Sequence, residues 1–153
     1  MERETIITLE RMVAIHAGKP GELLMLAEEL MDHFGTIPEA APALMQQLGL
    51  AAGEIQSILS FYHYPVSNTP VRCRVEVCGA LSCHLKNSAD LLHALCETFS
   101  AEPGVIKADS RLLISRSECL SHCDHAPTVS VNGENCAGAD LPGLIARIRE
   151  ALS

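Results

Sequence analysis

The chain has 153 residues, 48% hydrophobic and 20% charged, with a formal net charge of −8. That composition supports a real core and excludes a disordered chain, and the acidic balance argues against a nucleic-acid or anionic-membrane surface, since both select basic patches. No stretch approaches the ~20 apolar residues of a membrane span, and no apolar run follows the mixed-charge start Met1-Glu2-Arg3-Glu4, so the chain reads as cytoplasmic, without a secretory signal.

Residues 1–64 hold no cysteine and carry the periodicity of four helices. Ile6, Leu9, Met12, Val13 and His16 fall on one helical face, and Gly18 ends that segment. Pro20 suits the first turn of a second helix, whose stripe of Leu23, Leu24, Leu26, Ala27, Leu30, Met31 and Phe34 closes at Gly35. A third helix is expected from Pro38 through Ala41, Leu44, Met45 and Leu48 to Gly49, and a fourth through Ile55, Ile58, Leu59 and Tyr62. Plain core packing accounts for all four stripes.

Pro65-Val66-Ser67-Asn68-Thr69-Pro70 is a cluster of chain breakers. It is expected to be a linker, 65–70, between a helical portion, 1–64, and a second domain, 71–153. That domain mixes strands and helices. Cys73, Val75 and Val77 alternate with Arg72, Arg74 and Glu76, as in a half-buried strand. Asn87 or Ser88 suits the cap of a helix through Leu91, Leu92, Leu95 and Phe99. Short strands are expected at 112–115 and 128–131, a hairpin turn at Asn132-Gly133, and a closing helix over 141–152.

Seven cysteines are many for such a chain. In a reducing cytoplasm, metal or redox chemistry explains paired cysteines better than disulfides do. Cys78 and Cys83 form C-x4-C, and Cys119 and Cys123 form C-x3-C; each pair directly follows an expected strand. One sheet edge would therefore present two loops with two thiolates each, which is what the two irons of a [2Fe–2S] cluster require. Such a cluster is doubly negative when oxidised and triply negative when reduced, so it needs hydrogen-bond donors around it. Gly79, Ala80 and Ser82 are candidate donors through backbone N–H or hydroxyl groups, with Ser121 as another. Spacing alone leaves structural zinc and unrelated thiols open. It excludes a C-x-x-C dithiol and the plant-type ferredoxin run. Cys73, Cys96 and Cys136 read as core residues, and His84, His122 and His125 as solvent-facing or donor groups rather than ligands.

Four collinear blocks carry a family resemblance: Phe34-Gly35 with Ile37-Pro38; Ser60-Phe61-Tyr62-His63; Val77 through Cys83; and Glu118-Cys119-Leu120 with Cys123 and Ala126-Pro127. From about Leu23 to the C-terminus, including Val129, Val131, Asn132 and the final helix, the chain resembles the thioredoxin-like [2Fe–2S] ferredoxins. These are the 24-kDa-type subunits of NADH:quinone oxidoreductases and their counterparts in NAD-linked hydrogenases and formate dehydrogenases. The resemblance implies an α+β fold, with an N-terminal four-helix portion before a thioredoxin-like αβ domain with a mixed sheet. It implies that Cys78, Cys83, Cys119 and Cys123 hold the cluster, and that a flavoprotein partner binds FMN and NAD(H). Two departures stand out. Ser121 occupies a position that is commonly Gly in the family, and Cys136 and Gly138 lie in a run that is usually longer or more aromatic. No G-x-G-x-x-G follows a strand and no P-loop is present, so the chain lacks dehydrogenase machinery of its own. The expected role is single-electron transfer beside a flavin, with docking partly through the N-terminal helices. The alternatives are a stand-alone ferredoxin and a structural zinc module.

Overall fold

Leu9 and Val13 are buried on one face of the first helix, α1 (Arg3–Ile15), as their spacing requires, and His16 is buried in the turn just after it. The computed structural model describes residues 3–138 and 140–153, which leaves Met1, Glu2 and Ala139 outside the description. A 3-10 turn at Pro20–Glu22 leads into α2 (Leu23–Phe34). α2 buries Leu23, Leu26, Ala27 and Leu30, and ends where Gly35, at φ +72°, returns its N–H to Met31 O. The third helical segment is shorter than expected. α3 (Ala41–Leu44) starts three residues past Pro38 and tightens into a 3-10 turn at Met45–Leu48. The backbone before it is committed elsewhere: the Ile37 N–H donates to Pro65 O and Ile37 O accepts from the Ser67 N–H, both at 2.9 Å. α4 (Ala52–Phe61) opens with the Glu54 carboxylate accepting the Ala51 N–H at 2.8 Å. Leu9, Leu26, Leu30, Met45, Leu48 and Ile55 fill the core of this unit.

The stretch expected as a linker is largely part of the helical unit. Besides the two bonds to Ile37, Ser67 O accepts the Thr36 hydroxyl at 2.9 Å and Asn68 donates to Glu39 at 2.9 Å. The chain divides between Pro70 and Val71. Breaker residues signalled a change of direction, but here they form an extended segment paired with residues 36–39.

The second unit is a five-stranded mixed sheet in the order β2-β3-β1-β4-β5. Its strands are β1 (Cys73–Cys78), β2 (Ile106–Lys107), β3 (Leu112–Ser117), β4 (Thr128–Val131) and β5 (Glu134–Ala137). β1 and β3 are parallel, with Cys78 opposite Ser117, and every other pairing is antiparallel. Between β1 and β3 the chain passes through α5 (Leu81–His84) and α6 (Ser88–Phe99), and α7 (Leu141–Leu152) closes the unit. Leu95, Cys96, Leu144 and Ile148 of α6 and α7 pack with Cys73, Val75, Val77, Ile114 and Val129 of the sheet in one core. Asn132 and Gly133, both at positive φ, make the β4–β5 turn. Asn87 is left-handed and makes no side-chain cap; its N–H bonds His84 O and so finishes α5. β2, with two residues, is too short to show an alternation. The fold is thus α+β, helices followed by an αβ domain with a mixed sheet, as the resemblance implies.

Candidate metal centre

Parallel strands end at the same edge of a sheet, and here both end in cysteine-bearing loops. β1 terminates in Cys78, and the chain turns through Gly79-Ala80 into α5, which carries Cys83. β3 terminates in Ser117, followed by Cys119 and then by a 3-10 turn, Cys123–His125, that begins with Cys123. The Gly79 N–H donates to Ser117 O at 2.9 Å, which ties the two loops together at their roots.

All four candidate thiols meet. Cys119 Sγ and Cys123 Sγ lie 3.8 Å apart, and the Cys78 thiol interacts with those of both Cys83 and Cys119. Cys78 and Cys83 are buried, each 1% exposed, whereas Cys119 and Cys123 are exposed. One pair is embedded in the domain and the other faces outward.

Donors surround the sulfurs. Burial works against a thiolate at Cys78. The Leu120 and Ala80 N–H groups, with the thiols of Cys83 and Cys119, outweigh it and hold the Cys78 pKa below the ordinary thiol value. Burial raises Cys83, the neighbouring Cys78 thiol adds to that, and the N–H and hydroxyl of Thr128 pull the other way. The Cys119 thiol raises Cys123, against a hydrogen bond from the Ser82 hydroxyl. The Ser121 N–H reaches Cys119 Sγ at 3.4 Å.

Of the candidate donors, Ala80 and Ser82 therefore face sulfur. Gly79 does not, because its N–H is taken by Ser117. The end of the Arg116 side chain lies over Gly79, where a Cβ would displace it, and its Nη2 donates to Gly79 O at 2.8 Å. Leu120, Thr128 and Arg116 are the participants that sequence reasoning missed. Leu120 and Thr128 donate through backbone N–H groups, which have no side-chain signature, and Thr128 reads from the sequence as an ordinary strand residue. The three histidines are exposed. His122 Nδ1 lies 2.8 Å from Leu120 O, and His125 pairs with Asp124 at 2.8 Å. Cys73 and Cys96 are buried in the core as expected, and burial raises both thiols. Cys136 is only half-buried, on edge strand β5.

Among the described residues, no three His, Cys, Asp or Glu side chains form a group that would hold one metal ion. Two loops that bring two thiols each suit two irons taking two thiolates each.

The family described as thioredoxin-like [2Fe-2S] ferredoxin matches residues 9–149. The chain belongs to that family. Among similar proteins, the E component of the NADH-quinone oxidoreductase of Aquifex aeolicus is 28% identical over 113 residues, covering 73% of this chain and 71% of that one. The second subunit of the NADH-quinone oxidoreductase of Thermus thermophilus is 29% identical over 137 residues, covering 86% and 76%. The H2-reduced structure of an NAD+-reducing [NiFe]-hydrogenase superposes with a TM-score of 0.62 at 27% identity, covering 85% of this chain and 22% of the hydrogenase chain. This ferredoxin-family chain thus spans under a quarter of the hydrogenase chain it matches. The family's cofactor is one [2Fe–2S] cluster, and the donor set described above fits it. Among the described residues no helix is long and apolar enough to cross a membrane.

Proposed function

We propose that this chain is the electron-transfer subunit of a cytoplasmic NAD(H)-linked oxidoreductase, with Cys78, Cys83, Cys119 and Cys123 as the ligands of its cluster. The single observation that carries the reading is the meeting of four thiols at one sheet edge, ringed by N–H and hydroxyl donors, in a family of [2Fe–2S] ferredoxins. The names of its relatives support an NADH-dependent complex as its setting. When bound, the cluster supplies a one-electron store.

The residues of the chain do the rest. The Leu120, Ala80, Ser121 and Thr128 N–H groups stabilise sulfur charge that grows on reduction. Burial of Cys78 and Cys83 excludes water from one side, while exposure of Cys119 and Cys123 leaves a path outward. The partner is a flavoprotein that binds FMN and NAD(H), docked partly through the N-terminal helices. A flavin there would supply the hydride chemistry, and the cluster that Cys78, Cys83, Cys119 and Cys123 would hold would exchange single electrons with it. Alone, the chain binds neither FMN nor NADH.

The test is a Cys→Ser series read by visible absorption and by EPR after reduction. Substitution at Cys78, Cys83, Cys119 or Cys123 should abolish or grossly alter the [2Fe–2S] signal, because a hard oxygen ligand replaces thiolate poorly. Substitution at Cys73, Cys96 or Cys136 should leave it intact. A normal spectrum in Cys119→Ser, or a colourless wild-type protein carrying one zinc, would refute the assignment.

A further inference from the structure

We propose that Arg116 is a positioning residue for the centre: it clamps the turn that follows Cys78 and supplies a positive charge that favours the reduced, more negative cluster. This rests on reading the four cysteines as ligands.

Arg116 lies on β3 opposite Val77, three residues before Cys119. Its Nη2 donates to Gly79 O at 2.8 Å. The next residue, Ser117, accepts the Gly79 N–H at 2.9 Å. Both backbone polar groups of Gly79 are therefore held by consecutive residues of β3. The guanidinium and the last carbon of the stem lie directly over Gly79, where a Cβ would come within 2.7 Å of Cζ and 2.8 Å of Cδ, and closer still to Nε, so a larger residue there would displace the arginine from its bond to Gly79 O. Together they fix the turn from which Ala80 aims its N–H at the Cys78 sulfur. The same side chain lines a small cleft, ≈ 180 Å³, together with Cys78, Gly79, His84 and Ser88.

The charge matters as well as the hydrogen bond. Among the described residues Arg116 joins no ion pair, in a chain whose net charge is −8. A guanidinium stays protonated throughout the accessible pH range. Arg116 bonds the carbonyl of Gly79, the residue that follows Cys78, and the anion that Cys78 would help to hold gains a further negative charge on reduction. Coulomb attraction in a partly solvated setting then shifts the redox equilibrium a few-fold toward the reduced form.

The experiment is an EPR-monitored redox titration of the full-length, cluster-loaded chain as wild type, Arg116→Met and Arg116→Lys, at low and high salt. Arg116→Met is expected to hold its cluster but to show, at a fixed ambient potential and low salt, about a threefold higher oxidised-to-reduced ratio. That is a potential lower by about 28 mV at 59 mV per decade. Arg116→Lys is expected to recover most of the wild-type ratio, and high salt to shrink the difference between wild type and Arg116→Met by screening. Equal ratios in wild type and Arg116→Met, or an Arg116→Lys shift as large as that of Arg116→Met and insensitive to salt, would overturn the inference while leaving the ligand assignment intact. A wild-type chain with no [2Fe–2S] spectrum would overturn the ligand assignment, and this inference with it.

Discussion

Ser121 holds a left-handed backbone conformation, φ +62°, from which its N–H meets Cys119 Sγ at 3.4 Å. An L-residue in that region pays about 1–2 kcal/mol, and glycine pays almost none. The strain is retained because the conformation aims a donor at sulfur.

Ser121→Gly should therefore stabilise the chain. The relief is offset by about 0.4–1 kcal/mol for the extra freedom glycine has when unfolded, which leaves a net gain of roughly 0.5–1 kcal/mol. Ser121→Ala keeps the unfavourable φ and should change little. Denaturant midpoints of the three proteins check this, and a destabilised Ser121→Gly would show that the serine hydroxyl, not the backbone, governs the loop.

Thr128 tests the donor ring from the other side of the site. It is fully buried, its hydroxyl lies 3.3 Å from His122 O, and the same hydroxyl reaches Cys83. Thr128→Val keeps shape and removes that donor. The cluster should still assemble, with a potential lower by about 20–40 mV if one weak hydrogen bond of ~0.5–1 kcal/mol distinguishes the redox states. Thr128→Ser should stay near wild type. A Thr128→Val potential equal to wild type would mean the hydroxyl serves His122 O alone.

Much of this arrangement was legible in the sequence, and the reasons differ by element. Strand β1 follows from a clean alternation of buried and half-buried positions, and the Asn132-Gly133 turn follows from the backbone those two residues allow. The four thiols were found because cysteine pairs after strands are rare and chemically specific. The breaker cluster 65–70 ends where the chain divides, but Pro and Asn mark a turn of the chain without saying what the segment pairs with; here it is Thr36, Ile37 and Glu39. Gly79 was given a donor role that its neighbours occupy. What a backbone N–H bonds is decided by register, Cys78 against Ser117, and register between distant strands leaves no mark on a single sequence.

Acid should weaken the helical unit through one identifiable carboxylate. The His16 ring donates to Glu22 at 2.8 Å, and that bond, with Lys19 nearby, outweighs burial and holds the Glu22 carboxyl below its ordinary pKa. Between the folded and unfolded values the unfolded chain binds more protons. The contribution to stability is therefore complete above the ordinary carboxylate range, about 4.3, and is lost as pH falls through the depressed value. Denaturant unfolding across pH 3 to 7 should show a shallower acid limb in Glu22→Gln, with the two proteins converging at the acid end. Parallel curves would show that the pair contributes nothing to folding.

The helical unit carries none of the candidate ligands, and its most exposed aromatic residues sit together at the end of α4. Phe61 is 72% and Tyr62 49% exposed, with their rings edge to face at 5.1 Å. Aromatic side chains held in the open are costly to solvate and are enriched at the centres of interfaces. In a chain with only 3% aromatic residues, this pair is the expected contact with the flavoprotein. Replacing both with Ser should leave the cluster spectrum and the folding midpoint unchanged, because neither ring belongs to the core. It should weaken association by at least tenfold, the loss expected when an interface anchor worth about 1.4 kcal/mol or more is removed. The readout is NADH-dependent reduction of this chain's cluster as the flavoprotein is titrated in, with the apparent Kd compared between wild type and the double variant. An unchanged Kd would place the docking surface elsewhere, and the exposed pair Leu81 and Leu85 beside Cys83 would be the next to change.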